Sequence, residues 1–130
     1  MSNKHNAYLS VARYLASKSS ARMKHGAVVV KGGRVVGTGF NKNRNSPLNV
    51  SEDHIKTHCS EHAEVSAIKD ADFNVKNAVI YVARVSKRGE NRNSKPCDIC
   101  FKIIKDNGIK KIIYTVESHE SRSMVVDTIR

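Results

Sequence analysis

The sequence predicts an α/β fold in one domain spanning residues 1–130, and three observations predict it. Stretches with helical periodicity alternate with short apolar runs along the whole chain. Two of those runs, AVVVK at 27–31 and RVVGTGF at 34–40, flank Gly32-Gly33, a two-residue hairpin signal. A third run, AVIYVARV at 78–85, is nearly continuous in apolar character, which marks a strand covered on both faces. A chain of 130 residues is one domain by length. It buries about two thirds of its unfolded surface, enough for a core.

The elements follow in order. Residues 5–19 read as an amphipathic helix, with Tyr8, Val11, Ala12, Leu15 and Ala16 at helical spacing. The hairpin strands come next. Residues 41–59 are polar and hold Asn, Ser and Pro, so they read as an irregular loop. A helix over 61–71 precedes the strand at 78–85, and a basic loop, SKRGENRNSK, fills 86–95. A helix over 97–107 ends at Gly108, a C-terminal stop. KKIIYTV at 110–116 is a fourth strand and SMVVDTI at 123–129 a fifth, with a short terminal helix as the other reading. Only residues 117–122 join these last two strands. A parallel crossover needs about a dozen residues or more, so the pair is expected to be an antiparallel hairpin. Tyr8, Ile68, Val82, Ile104 and Ile113 read as core.

Composition excludes several classes. No apolar run approaches the roughly 18 residues of a membrane span. The N-terminus MSNKHNAYLS has no signal-peptide apolar region. Three cysteines, two of them closely spaced, argue for a reducing, cytoplasmic compartment and against a disulfide framework. The net charge of +11 is uneven: residues 1–51 carry nine Lys/Arg, and the first acid is Glu52. Such a half suits a phosphorylated or polyanionic partner, nucleic acid included, or it is a solvated basic surface. A mononucleotide needs only about two or three of these cations.

The chemistry concentrates in His62-Ala63-Glu64 and Pro96-Cys97-Asp98-Ile99-Cys100. One imidazole and two thiolates suit Zn²⁺, and three protein ligands leave a fourth position open for water. Water bound there loses a proton near neutral pH. Glu64 is the candidate proton carrier. Cys97 and Cys100 are i, i+3 and share a helical face. Ser94 is a candidate N-cap for their helix, with Pro96 in its first turn, and Ser60 a candidate cap for the His62 helix. Positions i and i+2 diverge around a helix, so His62 and Glu64 can face one site only near its first turn. Cys59 offers a different reading, in which Cys59, His62, Cys97 and Cys100 close a structural zinc site with no open position. His54 and His58, at i, i+4, would make half of a second metal site if their loop were helical.

These residues resemble the cytidine/deoxycytidylate deaminase superfamily, whose signature is H-x-E followed by P-C-x-x-C. The resemblance extends over nearly the whole chain. It includes His25-Gly26-Ala27-Val28-Val29, Thr38-Gly39-Phe40-Asn41, Ser60-Glu61 before the His motif, and the stretch from Gly108 to Tyr114. It implies a three-layer α/β/α sandwich around a five-stranded mixed sheet. It also implies a homo-oligomer and hydrolytic deamination with release of ammonia. By position, His62, Cys97 and Cys100 would be zinc ligands and Glu64 the acid/base. Asn41, the Ala63 backbone N–H and Pro96 would be substrate contacts.

The antiparallel last strand is similar to the branch acting on free cytidine, while the basic stretches at 41–45 and 84–95 suit a phosphate. The expected substrate is therefore a cytosine nucleoside or nucleotide. Two other readings remain: a deaminase acting on a base in single-stranded nucleic acid, and a non-catalytic binding module built on a closed zinc site. Low aromatic content counts against an extended stacking platform for a strand.

Overall fold

The computed structural model describes residues 3–20, 23–43, 60–117 and 124–129. In chain order they form α1 (Asn3–Ser17), β1 (Lys24–Lys31), β2 (Arg34–Phe40), β3 (Lys42–Asn43) and β4 (Ser60–Glu61). These are followed by α2 (Ala63–Asp70), β5 (Val79–Val85), β6 (Asn91–Arg92), α3 (Asp98–Asp106), β7 (Lys111–Thr115) and β8 (Met124–Thr128). The main sheet runs β2-β1-β5-β7-β8, with β6 also paired to β5, and β3 and β4 form a separate small pair.

The sheet is mixed, as expected. The β1–β2, β1–β5 and β7–β8 pairs are antiparallel. The β5–β7 pair is parallel, and the connection between them carries α3, the helical crossover a parallel pair requires. The short link to β8 makes the antiparallel hairpin that its length dictated. Gly32 and Gly33 sit at φ +60° and +77°, the left-handed conformation of a tight hairpin turn.

Alternation along β5 divides the core in two. Ile80 and Val82 face α2 and α3, where Ala63, Ala67, Ile68 and Ile104 pack on them with Ala27, Val29 and Ile112. Tyr81 and Ala83 face α1, where Leu9 and Ala12 pack with Val28, Val30 and Ile113. Burial on both faces explains the near-continuous apolar run, and the result is the three-layer sandwich.

Several expectations shift. The first strand begins at Lys24, because Lys24, His25 and Gly26 pair with Val85, Arg84 and Ala83. The buried stripe of α1 is Leu9, Ala12 and Ala16; Val11 lies at its edge and is 39% exposed. Tyr8 is half-buried, its hydroxyl donating to the Gly33 carbonyl. The basic loop contains β6, and most of the expected loop at 41–59, with His54, His58 and Cys59, lies outside the described residues.

Two glycines set how closely the helices approach the sheet. A Cβ on Gly26 would collide with the backbone of Ala12 and Ala16 in α1. One on Gly39 would lie 2.6 Å from the Ala67 nitrogen and 2.8 Å from the Ala63 carbonyl oxygen in α2. These neighbours are backbone and cannot turn aside. Gly39→Ala is therefore expected to destabilise the fold by about 1–3 kcal/mol through overpacking, read as a lowered midpoint in urea.

Candidate metal centre and active site

The His62 and Cys97/Cys100 motifs begin two helices. His62 is the N-cap of α2, with φ −71° and ψ 142°. Cys97 is the N-cap of α3, with φ −67° and ψ 167°. In both, the carbonyl opens the helix: Ser66 N–H donates to the His62 oxygen and Phe101 N–H to the Cys97 oxygen. Neither side chain makes a capping hydrogen bond. Extended backbone at an N-cap instead turns each side chain away from its helix and toward the other motif.

There they meet. His62 Nδ1 lies 2.9 Å from Cys100 Sγ and 3.7 Å from Cys97 Sγ. One donor atom from each of the three residues lies within 4.8 Å of the others. Cys100 sits one turn into α3, so the i, i+3 spacing brings both sulfurs to the same side. Both cysteines are free thiols. Burial, then the nearby charge of Glu64 and Cys97, pushes the Cys100 thiol well above its usual range. A divalent cation reverses that balance, because a coordinating thiol ionises. One nitrogen and two sulfurs within reach of a single ion are a donor set that fits Zn²⁺.

Glu64 follows two residues after His62, in the first turn of α2, the one part of a helix where both can serve one site. It is 4% exposed. Burial raises its carboxyl from 4.5 to about 7, opposed in part by a hydrogen bond from its own backbone N–H. The carboxyl is thus a buried acid beside the donor cluster.

The two predicted caps are different residues. Ser60 lies in β4, and His62 caps α2. Ser94 lies three residues before the Cys97 cap, too early to reach the first turn of α3. Its buried hydroxyl donates to the Val82 carbonyl at 2.8 Å and lies 2.9 Å from Thr115 Oγ1. Thr115 N–H donates back to Ser94 Oγ, and Thr115 Oγ1 donates to the Arg92 carbonyl. This buried network ties the segment leading to Cys97 onto the ends of β5 and β7. Thr115 carried no signal in the sequence, since its partners are distant along the chain. Pro96 is buried just before the cap.

Asn41 is 6% exposed just past β2. Its Oδ1 accepts from the Ser19 hydroxyl at 2.7 Å and the His25 N–H at 2.8 Å. Its Nδ2 donates to the Met23 carbonyl and carries a second hydrogen. The amide therefore braces the start of β1 against the end of β2. The Ala63 N–H is at the first position of α2, among the donors that a helix leaves unpaired.

Fold and donor set together are those of a zinc-binding α/β protein. The chain belongs to the cytidine and deoxycytidylate deaminases: residues 2–116 match the model of their zinc-binding region. No curated protein matches it. Among solved structures it is similar to the dCMP deaminase of cyanophage S-TIM5. The apo form is 25% identical over 91% of this chain and 87% of that one, with a TM-score of 0.66. The form in complex with dCMP and dUMP is 26% identical over 93% and 88%, with a TM-score of 0.63. Cytidine deaminase from Burkholderia pseudomallei shares the fold at 19% identity over 98% and 93%, with a TM-score of 0.67.

Two predictions follow from this geometry. Ser94→Ala leaves the buried Thr115 N–H short of a partner and takes one donor from the Val82 carbonyl, costing about 1–3 kcal/mol of stability. Zinc affinity should fall with it, measured by competition against a chromophoric chelator, because the Cys97 segment loses its anchor. The second concerns metal-stripped protein. A carboxyl raised to about 7 contributes stability that is complete below its unfolded value of 4.5 and is lost as pH rises through about 7. In excess chelator, Glu64→Gln should thus melt progressively higher than the parent between about pH 5 and about pH 8. A constant offset across that range would contradict the shift.

Proposed function

We propose that this chain is a zinc-dependent hydrolytic deaminase that converts a cytosine nucleoside or nucleotide to its uracil form and releases ammonia. The observation that carries this is the convergence of His62, Cys97 and Cys100 beside the buried carboxyl of Glu64. His62 Nδ1, Cys97 Sγ and Cys100 Sγ would hold the zinc, which supplies a nucleophile from water at neutral pH.

Glu64 carries the protons. Deamination replaces the C4 amine of the ring by oxygen, so one proton must pass from the attacking water to the ring nitrogen, where it stays, and a second must pass from the new C4 hydroxyl to the departing amine. A carboxyl with an affinity for protons near neutral pH can do both transfers, since neither form is strongly disfavoured. The Ala63 N–H would donate to the base, Pro96 would line the pocket, and the remaining hydrogen of Asn41 Nδ2 would donate to the sugar or base. The likeness to a dCMP deaminase in complex with dCMP and dUMP supports a small nucleotide as partner. A homo-oligomer in a reducing, cytoplasmic compartment completes the reading, the latter supported by two free thiols in ligand positions. Among the described residues no helix is long and apolar enough to cross a membrane.

The excess of basic residues favours one second reading, a polynucleotide substrate. Both are tested by ammonia release from zinc-loaded protein. The substrates are cytidine, deoxycytidine, their 5′-monophosphates and a cytosine-rich single-stranded oligonucleotide. Activity on a monomer is expected, with Glu64→Ala losing about a hundredfold or more while keeping its zinc. Activity on the oligonucleotide alone would establish the second reading. Cys100→Ser should lose zinc, and Cys59→Ser should keep it. Loss of zinc from Cys59→Ser, with no activity on any substrate, would instead indicate a closed structural site.

A further inference from the structure

Residues directly opposed across a sheet share a face, and so do residues two apart along a strand. Gly39, Ala27 and Val82 oppose one another across β2, β1 and β5. The carbonyl of Ala63 presses on Gly39, so this row lies under the first turn of α2. The next row on that face, toward the end where His62 precedes α2, runs through His25, Arg84 and Arg92. Asn41 extends it, its N–H donating to the His25 carbonyl at 3.2 Å. An amide, an imidazole and two guanidinium groups thus line up across β1, β5 and β6 and the residue just past β2, at the end of the sheet where the metal ligands converge.

Arg84 stands out in this row. Its backbone N–H donates to Thr115 Oγ1, which fixes the strand beneath it. Its guanidinium makes no hydrogen bond or ion pair among the described residues, and its Nε is buried without a partner. Burying a charged donor unpaired is costly. Arg92 is engaged, Nη1 lying 3.4 Å from a Glu117 carboxylate that is itself 71% exposed, a pair of little strength. A planar fork with open donors suits a phosphate, which accepts two parallel N–H bonds.

We propose, building on the deaminase reading above, that Arg84 is the specificity-determining residue of this site. It takes the phosphate of a phosphorylated cytosine substrate, so the substrate is a nucleotide and not a free nucleoside. The base lies at His62 and Glu64, and its sugar and phosphate ester run along the row toward Arg84 and Arg92. A 5′-mononucleotide and a single-stranded polynucleotide both present this phosphate chemistry.

The test measures binding without turnover. Zinc-loaded Glu64→Gln protein is titrated calorimetrically with dCMP, with deoxycytidine and with a cytosine-rich single-stranded oligonucleotide. The same titrations are repeated with Arg84→Gln, Arg84→Lys or Lys102→Gln added, zinc content and melting temperature being checked for each. The expected result is that dCMP binds at least about tenfold more tightly than deoxycytidine. Arg84→Gln should erase that ratio and Arg84→Lys keep part of it. Lys102→Gln, on an exposed residue paired with Asp106, should leave the ratio as it was. If only the oligonucleotide binds, and binding weakens in Arg84→Gln, the phosphate is that of a polynucleotide. Equal binding of dCMP and deoxycytidine overturns the assignment, as does a preference that survives Arg84→Gln. Those outcomes leave the deaminase reading standing. Failure of every cytosine compound to bind removes both.

Discussion

Three donor atoms from two helices have to reach one point, and the position of each helix start over the sheet decides whether they do. A shift of either helix by one residue, about 1.5 Å along its axis, would carry a ligand out of range. The structure fixes both starts by different means. α2 is held by a backbone-to-backbone approach that only glycine at 39 permits. α3 is held through the segment before it, which the Ser94 and Thr115 hydroxyls fasten to β5 and β7. Steric contact fixes one half of the site and hydrogen bonding the other.

The same arrangement sets the electrostatics. Burial under α2 raises the Glu64 carboxyl, and burial in α3 raises the Cys100 thiol. Two buried acids that resist ionisation are poised to respond to a cation. The N-terminal ends of two helices add partial positive charge from the same side. Those fixed dipoles favour the thiolate and carboxylate forms, in opposition to the burial that raises both groups.

Legibility in the sequence followed the range of the interactions. The strand at 79–85 and the hairpin about Gly32-Gly33 were readable because their signals, two-sided burial and turn chemistry, are local. So was the antiparallel β8, which a connection too short for a crossover dictates. The metal cluster was readable because its parts have fixed spacings: i, i+2 for His62 and Glu64, and i, i+3 for the cysteines. The caps were not. Ser94 looks like a cap by composition, yet its hydroxyl is drawn to Val82 and Thr115, partners that only the folded sheet brings near. The resemblance made Asn41 a substrate contact, and its bonds to Ser19, Met23 and His25 arise only where the segment after α1 meets the start of β1 and the end of β2. The row through Arg84 depends on strand register, which no periodicity in one segment encodes.

Strand order also has a consequence for how the molecule assembles. β1 and β2 pair locally, but β1 pairs on its other side with β5, across all the residues that hold α2. The central ladder can close only when residues 79–85 are available, and the cysteine pair lies further on still. A chain emerging in order thus exposes His62 well before Cys97 and Cys100 can join it. Tight capture of a metal ion is a property of the nearly finished sheet. An ion that binds there draws the equilibrium toward complete molecules and away from partly formed ones. Retention of a metal there would then report on the integrity of the whole sheet as well as on the three donor residues.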